Sequence, residues 1–243
     1  DKRSPGRLYP GMTTAGEKIS VSVIMPALNE EENISAAIDS VLEAFSAYGI
    51  NGEIIAVDDG SSDSTAQIVR QKMSRQGPIR LISHKSPQGI GASFLEGVNA
   101  AYAQALVMIP GDNENNPGEI IRHLGLLEGV DMVIPYVSNT PDRILSRRIL
   151  SRVYTGIINV TFGLKLKYFN GTVLYKKEVL GRIQPASRGF FYQTEILVKA
   201  IREGYKFTEV SYAVRKKDAR ESRSLSCASF VDIVRSYLLL CKN

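Results

Sequence analysis

Apolar positions along this 243-residue chain alternate between two periods, and that alternation predicts the fold. Short runs rich in β-branched residues occur at 19–25, closed by Pro26, and at 53–57, 79–83 and 105–109. Each reads as a strand bounded by turn residues. Between them the spacing becomes helical. Asn29, Glu30 and Glu31 are expected to open a helix in which Ile34, Ala37, Ile38, Val41, Leu42 and Phe45 share one face. A second helix is expected near 63–75. A third starts at Gly89-Ile90-Gly91-Ala92, with Phe94, Val98, Ala101 and Tyr102 on one side. Strands alternating with helices over the first half predict an α/β fold with a mainly parallel sheet covered on both faces. Right-handed crossovers make it doubly wound and Rossmann-like.

The second half is less regular. Strands are expected at 130–135 and 207–213, an extended segment at 172–175, and helices at 144–160 and 192–202. Near the end Phe230, Ile233, Val234, Tyr237, Leu238 and Cys241 form a stripe, as in a helix packed on the domain or lying at an interface. Residues 1–17, rich in Gly, Pro, Lys and Arg without periodicity, read as a flexible tail. No linker divides residues 18–243, which are expected to form a single domain.

Composition narrows the class. Hydrophobic residues make up 44% and charged residues 23%, enough apolar content for a full core. The formal net charge of +5 favours an anionic partner without choosing among phosphates, acidic membranes and nucleic acid. Cys227 and Cys241 lack metal-site spacing and suggest no disulfide framework, which fits a reducing compartment. With only His84 and His123, a histidine-rich metal site is excluded. No apolar run reaches the roughly 18 residues of a spanning helix, and no signal-peptide pattern opens the chain.

Three polar loops follow predicted strands and would line one sheet edge, where open α/β folds bind ligands. Asp58-Asp59-Gly60-Ser61-Ser62-Asp63 puts two carboxylates at a buried strand end. Ser61, Ser62 and Asp63 are expected to cap the next helix, leaving both aspartates to accept hydrogen bonds or approach a metal. A plain capped turn is the simpler alternative. Pro26-Ala27-Leu28-Asn29-Glu30 offers backbone groups and polar side chains able to grip a nucleoside, or simply an acidic helix start. Asp112-Asn113-Glu114 places two carboxylates one residue apart, a spacing that lets both reach one hard cation, or simply a solvated acidic loop.

Taken in order, Pro-Ala-Leu-Asn-Glu-Glu-Glu-Asn-Ile, Val-Asp-Asp-Gly-Ser-Ser-Asp-Ser-Thr, Gly-Ile-Gly-Ala and Asp-Asn-Glu resemble glycosyltransferase family 2 over about residues 19–215. The resemblance implies a GT-A fold, a UDP- or GDP-linked sugar donor, and Mg²⁺ or Mn²⁺. It implies nucleotide-sugar contacts by Pro26, Ala27, Asn29, Glu30, Asp58, Asp59, Gly91, Asp112 and Asn113, with Asp112 and Glu114 holding the metal. It divides the domain into a nucleotide-sugar half, 18–120, an acceptor half, 121–225, and a C-terminal amphipathic helix, 226–243. Family members usually carry Asp-x-Asp, often followed by Gln. Here Glu114, Asn115 and Asn116 stand instead, which opens the metal preference, the donor and the activity to change.

The second half is similar to dolichol-phosphate mannosyltransferase and bacterial polyprenyl-phosphate glycosyltransferases. The arginine-rich 143–152 resembles their acceptor segment. Arg143 and Arg147 lie four apart on one helix face, and guanidinium groups pair bidentately with phosphate. A solvated basic face would have the same sequence. The basic stretch 214–224 resembles a mobile loop over the diphosphate, with Arg215 and Arg220 as phosphate contacts. Glu195 matches the base that deprotonates an acceptor hydroxyl. A phosphate acceptor is already ionised and would leave Glu195 to orient its neighbours. The expectation is an inverting, metal-dependent transferase acting on a polyprenyl phosphate, peripheral on the cytoplasmic face of a membrane. The alternatives are a hydroxyl acceptor with Glu195 as base, or a non-catalytic nucleotide-sugar or lipid-binding module. Nucleic acid is not expected, because the basic segments lack interleaved stacking aromatics.

Overall fold

The structure, a computed structural model, describes residues 20–75, 77–137, 145–212 and 227–242, and the backbone alone at 145–148 and 227–230. The expected tail and the 214–224 stretch, with Arg215 and Arg220, lie outside the described residues, as does Arg143. Strands β1 (Val21–Ala27), β2 (Gly52–Asp58), β3 (Ile79–Ser83) and β4 (Ala105–Met108) alternate with helices α1 (Ile34–Tyr48), α2 (Thr65–Met73) and α3 (Ile90–Ala100). There follow α4 (Pro117–Ile121), a 3₁₀ turn at Leu124–Glu128, β5 (Met132–Val137), α5 (Leu145–Phe162), β6 (Leu174–Lys176) and α6 (Lys177–Arg182). The last described elements are α7 (Tyr192–Arg202), β7 (Phe207–Tyr212) and α8 (Cys227–Lys242).

The seven strands form one sheet in the order β3-β2-β1-β4-β6-β5-β7. β1, β2, β3 and β4 run parallel, while β6 pairs antiparallel with both β4 and β5, so the sheet is mixed but mostly parallel. From β1 the chain winds outward through β2 to β3, then returns to the other side of β1 as β4. The strand order therefore reverses between β1 and β4, and the loops after all four strands leave from the same C-terminal edge.

Alternation along the strands fills two cores. Val21, Val23 and Met25 join the α1 face (Ile34, Ile38, Val41 and Phe45) on one side of the sheet. Ile24, Ile55 and Val57 meet Phe94 and Val98 of α3, with Ile196 and Leu197 of α7, on the other. The apolar face expected of α1 is therefore the face it buries. The helix stops at Gly49, whose left-handed φ of 61° lets its N–H reach back to the Ser46 carbonyl.

Several boundaries differ from the sequence reading. Pro26 does not end β1: it is the sixth of seven residues, opposite Val57, and its carbonyl accepts the N–H of Gly111 at 3.0 Å. Proline lacks a donor but keeps its acceptor, so it fits near the end even of a central strand. Asn29–Glu31 do not open α1. They form a turn in which the Glu30 carbonyl accepts the N–H groups of Asn33 and Ile34. The short helices α4 and α6 were not anticipated. Pro at the first turn of a helix loses no hydrogen bond, so Pro117 can open α4.

α3 lies close to β1 because of Gly97, where an added Cβ would stand 2.4 Å from Cγ2 of the fully buried Ile24. Gly97→Val should therefore lower stability in urea unfolding by about 1–3 kcal/mol, the cost of overpacking a filled core. An unchanged midpoint would contradict this packing of α3.

Candidate functional site

The site is built outward from Pro26 and Ala27. Their successive carbonyls point to opposite neighbours: Pro26 accepts the N–H of Gly111 at 3.0 Å, and Ala27 accepts the N–H of Asp59 at 2.8 Å. The loops after β4 and β2 are thus each one hydrogen bond from the same dipeptide.

Beyond Ala27 the first two loops are cross-braced. The N–H of Asn29 donates to Ser61 Oγ at 2.9 Å, that of Glu30 to Thr65 Oγ1 at 2.8 Å, and that of Glu31 to Asp63 Oδ2 at 3.1 Å. In return Asn29 Oδ1 accepts the Ser62 N–H at 2.8 Å, and Glu31 Oε2 accepts the Ser64 N–H at 2.9 Å. Ser61 and Ser62 therefore serve the neighbouring loop instead of capping α2. Asp63 does both, with Oδ1 accepting the Thr65 N–H at 3.0 Å. Partial burial works against the Asp63 charge, but hydrogen bonds from Thr65 and Glu31 prevail and hold its carboxyl below the ordinary value.

The two non-glycine residues with positive φ among the described residues are Asn29 (55°) and Asn113 (56°), one in the β1 loop and one in the β4 loop. Asparagine tolerates this conformation because its side chain can bond locally. Backbone strain concentrated on two loops of one edge is a mark of a functional site.

Asp58 and Asp59 have different partners. Both are buried, but Asp58 Oδ1 accepts the Ser61 N–H at 3.1 Å, beside the β1 loop. Asp59 faces the other way. Its Oδ1 lies 2.6 Å from His84 Nδ1 and 2.7 Å from the Gln88 N–H, and its Oδ2 accepts the Gly89 N–H at 2.9 Å. Asp59 is thus not left open to a ligand: it anchors the loop between β3 and α3.

Asp112 and Glu114 sit in the turn after β4. The N–H of Glu114 donates to Asp112 Oδ1 at 3.0 Å, and a Cβ on Gly111 would meet Ile34 Cδ1 at 2.6 Å, so the turn packs tightly on α1. Both acids are half-buried. Among the described residues no group of three or more His, Cys, Asp or Glu side chains gathers as a closed metal cage. Two carboxylates of this kind suit a hard divalent cation that keeps water and takes further oxygen ligands from a phosphorylated substrate.

On the far side, Glu195 at the start of α7 is buried and engaged. Its Oε1 accepts the Ala186 N–H and its Oε2 the Ser187 N–H, each at 2.9 Å, and Lys199 pairs with Oε1 at 2.7 Å. The segment so held meets Gly91, whose N–H donates to the Arg188 carbonyl at 2.8 Å and where a Cβ would touch Tyr192. Tyr192 in turn reaches Met108, the last residue of β4, through its hydroxyl. Burial pushes the Tyr192 phenol far up, so it is a fixed neutral donor. Arg147 lies on α5, with its side chain outside the described residues. Sequence reasoning missed His84, Glu96 and the bracing residue Thr65. The signal for His84 was its place directly after a predicted strand.

Comparison with known proteins identifies the family and the fold. The family model described as glycosyl transferase family 2 matches residues 22–187, more than half of the chain. A dodecaprenyl-phosphate galacturonate synthase of Rhizobium johnstonii is 25% identical over 178 residues, covering 69% of this chain and 52% of that protein. An undecaprenyl-phosphate 4-deoxy-4-formamido-L-arabinose transferase of Edwardsiella ictaluri is 31% identical over 146 residues, covering 59% and 44%. The chain spans about half the length of these curated relatives. Among solved structures, the glucosyl-3-phosphoglycerate synthase of Mycobacterium tuberculosis with UDP superposes with a TM-score of 0.70 at 20% identity, over 95% of this chain and 86% of that one. The same enzyme with Mn²⁺, UDP-glucose and phosphoglyceric acid gives 0.70 at 19%, again over 95% and 86%. The fold is GT-A-like, and the chain belongs to glycosyl transferase family 2.

Proposed function

We propose that this glycosyltransferase moves a sugar from a nucleotide-diphosphate donor to a polyprenyl phosphate. The observation that carries the reading is the convergence of the loops after β1, β2 and β4 on Pro26-Ala27, which brings Asn29, Glu30, Asp58, Asp112 and Glu114 to one edge of the sheet. In this reading Pro26, Ala27, Asn29, Glu30 and Asp58 hold the nucleoside. Gly91 and Asn113 shape the donor wall, with Asp59 behind it. Asp112 and Glu114 hold Mg²⁺ or Mn²⁺. Such an ion, when bound, stabilises the charge that develops on the leaving diphosphate. An acceptor phosphate oxygen attacks the anomeric carbon as the bond from that carbon to the diphosphate breaks, with inversion. The acceptor oxygen is already ionised near neutral pH, so no base is required. That suits Glu195, whose two oxygens already accept backbone N–H groups. Arg143, Arg147, Arg215 and Arg220 are assigned to phosphate, for which guanidinium geometry is suited.

A lipid acceptor is supported by the polyprenyl phosphates in the names of both relatives and by an exposed apolar face. Among the described residues no helix is long and apolar enough to cross a membrane. However, α5 exposes Leu150 and Val153, and α8 exposes Val231 and Leu238, each by half or more. The two helices are tied by a 2.8 Å hydrogen bond between Thr161 and Tyr237, and exposed Arg152, Arg235 and Lys242 stand nearby on them. Apolar residues interspersed with cations suit an anionic bilayer surface, here taken as the cytoplasmic leaflet.

A panel of UDP- and GDP-sugars crossed with Mg²⁺ and Mn²⁺, with undecaprenyl phosphate as acceptor, tests the assignment. One donor should support metal-dependent transfer, and Asp112→Asn or Glu114→Gln should lower its rate by about 10²–10³ while the fold stays intact. Transfer without a divalent cation, or full activity in both variants, would contradict it. For the membrane contact, Val153→Glu and Leu238→Glu should leave the unfolding midpoint unchanged and reduce cosedimentation with phosphatidylglycerol vesicles several-fold, as a charge resists burial in lipid. Equal cosedimentation would contradict the proposed face.

A further inference from the structure

His84 is engaged on both sides of its ring. Nδ1 lies 2.6 Å from Asp59 Oδ1 and Nε2 lies 2.6 Å from Glu96 Oε2. The His84 side chain is 9% exposed and that of Asp59 7%, while Glu96, on α3, is 51% exposed. A neutral imidazole has one donor and one acceptor nitrogen, so only the imidazolium donates to both carboxylates. Asp59 uses its remaining capacity on the N–H groups of Gln88 and Gly89. The backbone N–H of His84 donates to the Asp58 carbonyl at 2.9 Å, and Gly60, at φ 77°, presses on Ser86, where an added Cβ would come within 2.8 Å of backbone atoms. The 84–89 segment is therefore laid against the residues Asp58–Gly60. Its far end reaches the acceptor side, where the Arg188 carbonyl accepts from Gly91 and Ala92.

We propose that His84 is a positioning residue of the donor site: as an imidazolium clasped between Asp59 and Glu96, it fixes the 84–91 segment beside Asp58 and so favours nucleotide binding. The proposal rests on the assignment of Asp58 to the nucleoside. His84 touches neither donor nor reacting atoms. It acts through Asp59 and the two N–H groups that Asp59 holds. The charged groups bonded to the ring are Asp59 at the end of β2 and Glu96 on α3, with Lys85 next to it in the chain. Burial opposes the imidazolium, but the hydrogen bonds and charges of Asp59 and Glu96 prevail and raise its pKa above the ordinary 6.5. A group raised in the folded state stabilises it fully below the unfolded pKa, and that contribution is lost as pH rises through the folded value. The clasp is thus closed at low pH and opens on the alkaline side. His123 is a reference within the same chain, since burial and neighbouring Arg122 lower its pKa.

Imidazole NMR across pH, with UDP and GDP titrations at each point, tests this. His84 should titrate above His123. Glu96→Gln should move the His84 midpoint down, and the pH at which the 88–91 amides lose exchange protection should move with it. UDP or GDP affinity should fall at least about fivefold across the same midpoint, and bound nucleotide should raise that midpoint by the reciprocal amount. His84→Gln should flatten the profile. A His84 midpoint at or below 6.5, protection at 88–91 that ignores it, or a nucleotide profile identical in wild type and Glu96→Gln would overturn the proposal. Failure of both nucleotides to bind at any pH would instead sink the donor-site assignment, and with it the role in nucleotide binding, whereas the NMR and exchange data would still report whether the clasp exists.

Discussion

Two neighbouring peptide carbonyls, those of Pro26 and Ala27, hold the site together. They lie at the C-terminal end of the strand from which the sheet winds in both directions, so each faces a different loop: Gly111 on one side and Asp59 on the other. Successive carbonyls of any interior strand face opposite neighbours, and here that strand is also the switch point, where the chains on either side diverge. Divergence leaves backbone N–H groups without ladder partners, and buried or half-buried donors must be satisfied. Ser61 and Thr65 meet that need for the half-buried Asn29 and Glu30, and Asp63 braces the exposed Glu31. The density of small polar residues after β2 thus has a structural cause before it has a chemical one.

The same logic repeats beyond these loops. Asp59 and Glu195 are buried carboxylates that each clasp two backbone N–H groups, at Gln88 and Gly89 in one case and at Ala186 and Ser187 in the other. The two held segments meet where Gly91 donates to the Arg188 carbonyl. The first and second halves of the chain therefore touch through backbone here, and a glycine is required because a Cβ at position 91 would collide with that carbonyl and with Tyr192. The acids thus divide into those that set backbone and those proposed to meet substrate. Asp59 and Glu195 belong to the first group. Asp112 and Glu114, in a half-buried turn, are proposed for the second.

Most of the fold was legible because its signals are local. The 3.6-residue spacing of Ile34 to Phe45 and the apolar runs leading into Asp58 and Asp112 specify element type and burial together, and the motif order pointed to the family. What was not legible depends on partners distant in sequence. Nothing local separates Asp58 from Asp59. Their different partners are Ser61 on one side and His84 and Gln88, some 25 to 29 residues away, on the other. Pro26 looked like a terminator because its missing donor is visible in sequence, whereas its retained acceptor matters only once Gly111 lies beside it. Glu195 matched either a base or a residue that orients its neighbours, and the neighbours it holds, the 186–187 backbone, appear only in the folded chain.

The central claim is that the loops after β1, β2 and β4 form one nucleotide-sugar site with the metal at Asp112 and Glu114. A crystal structure with Mn²⁺ and UDP or GDP, read by manganese anomalous scattering, tests it most directly. The account predicts one strong peak within coordination distance of the Asp112 and Glu114 carboxylates, bridged to the diphosphate, with the base beside Asp58 and Asn29. A manganese peak held by other residues, or a nucleotide bound away from this sheet edge, would contradict it.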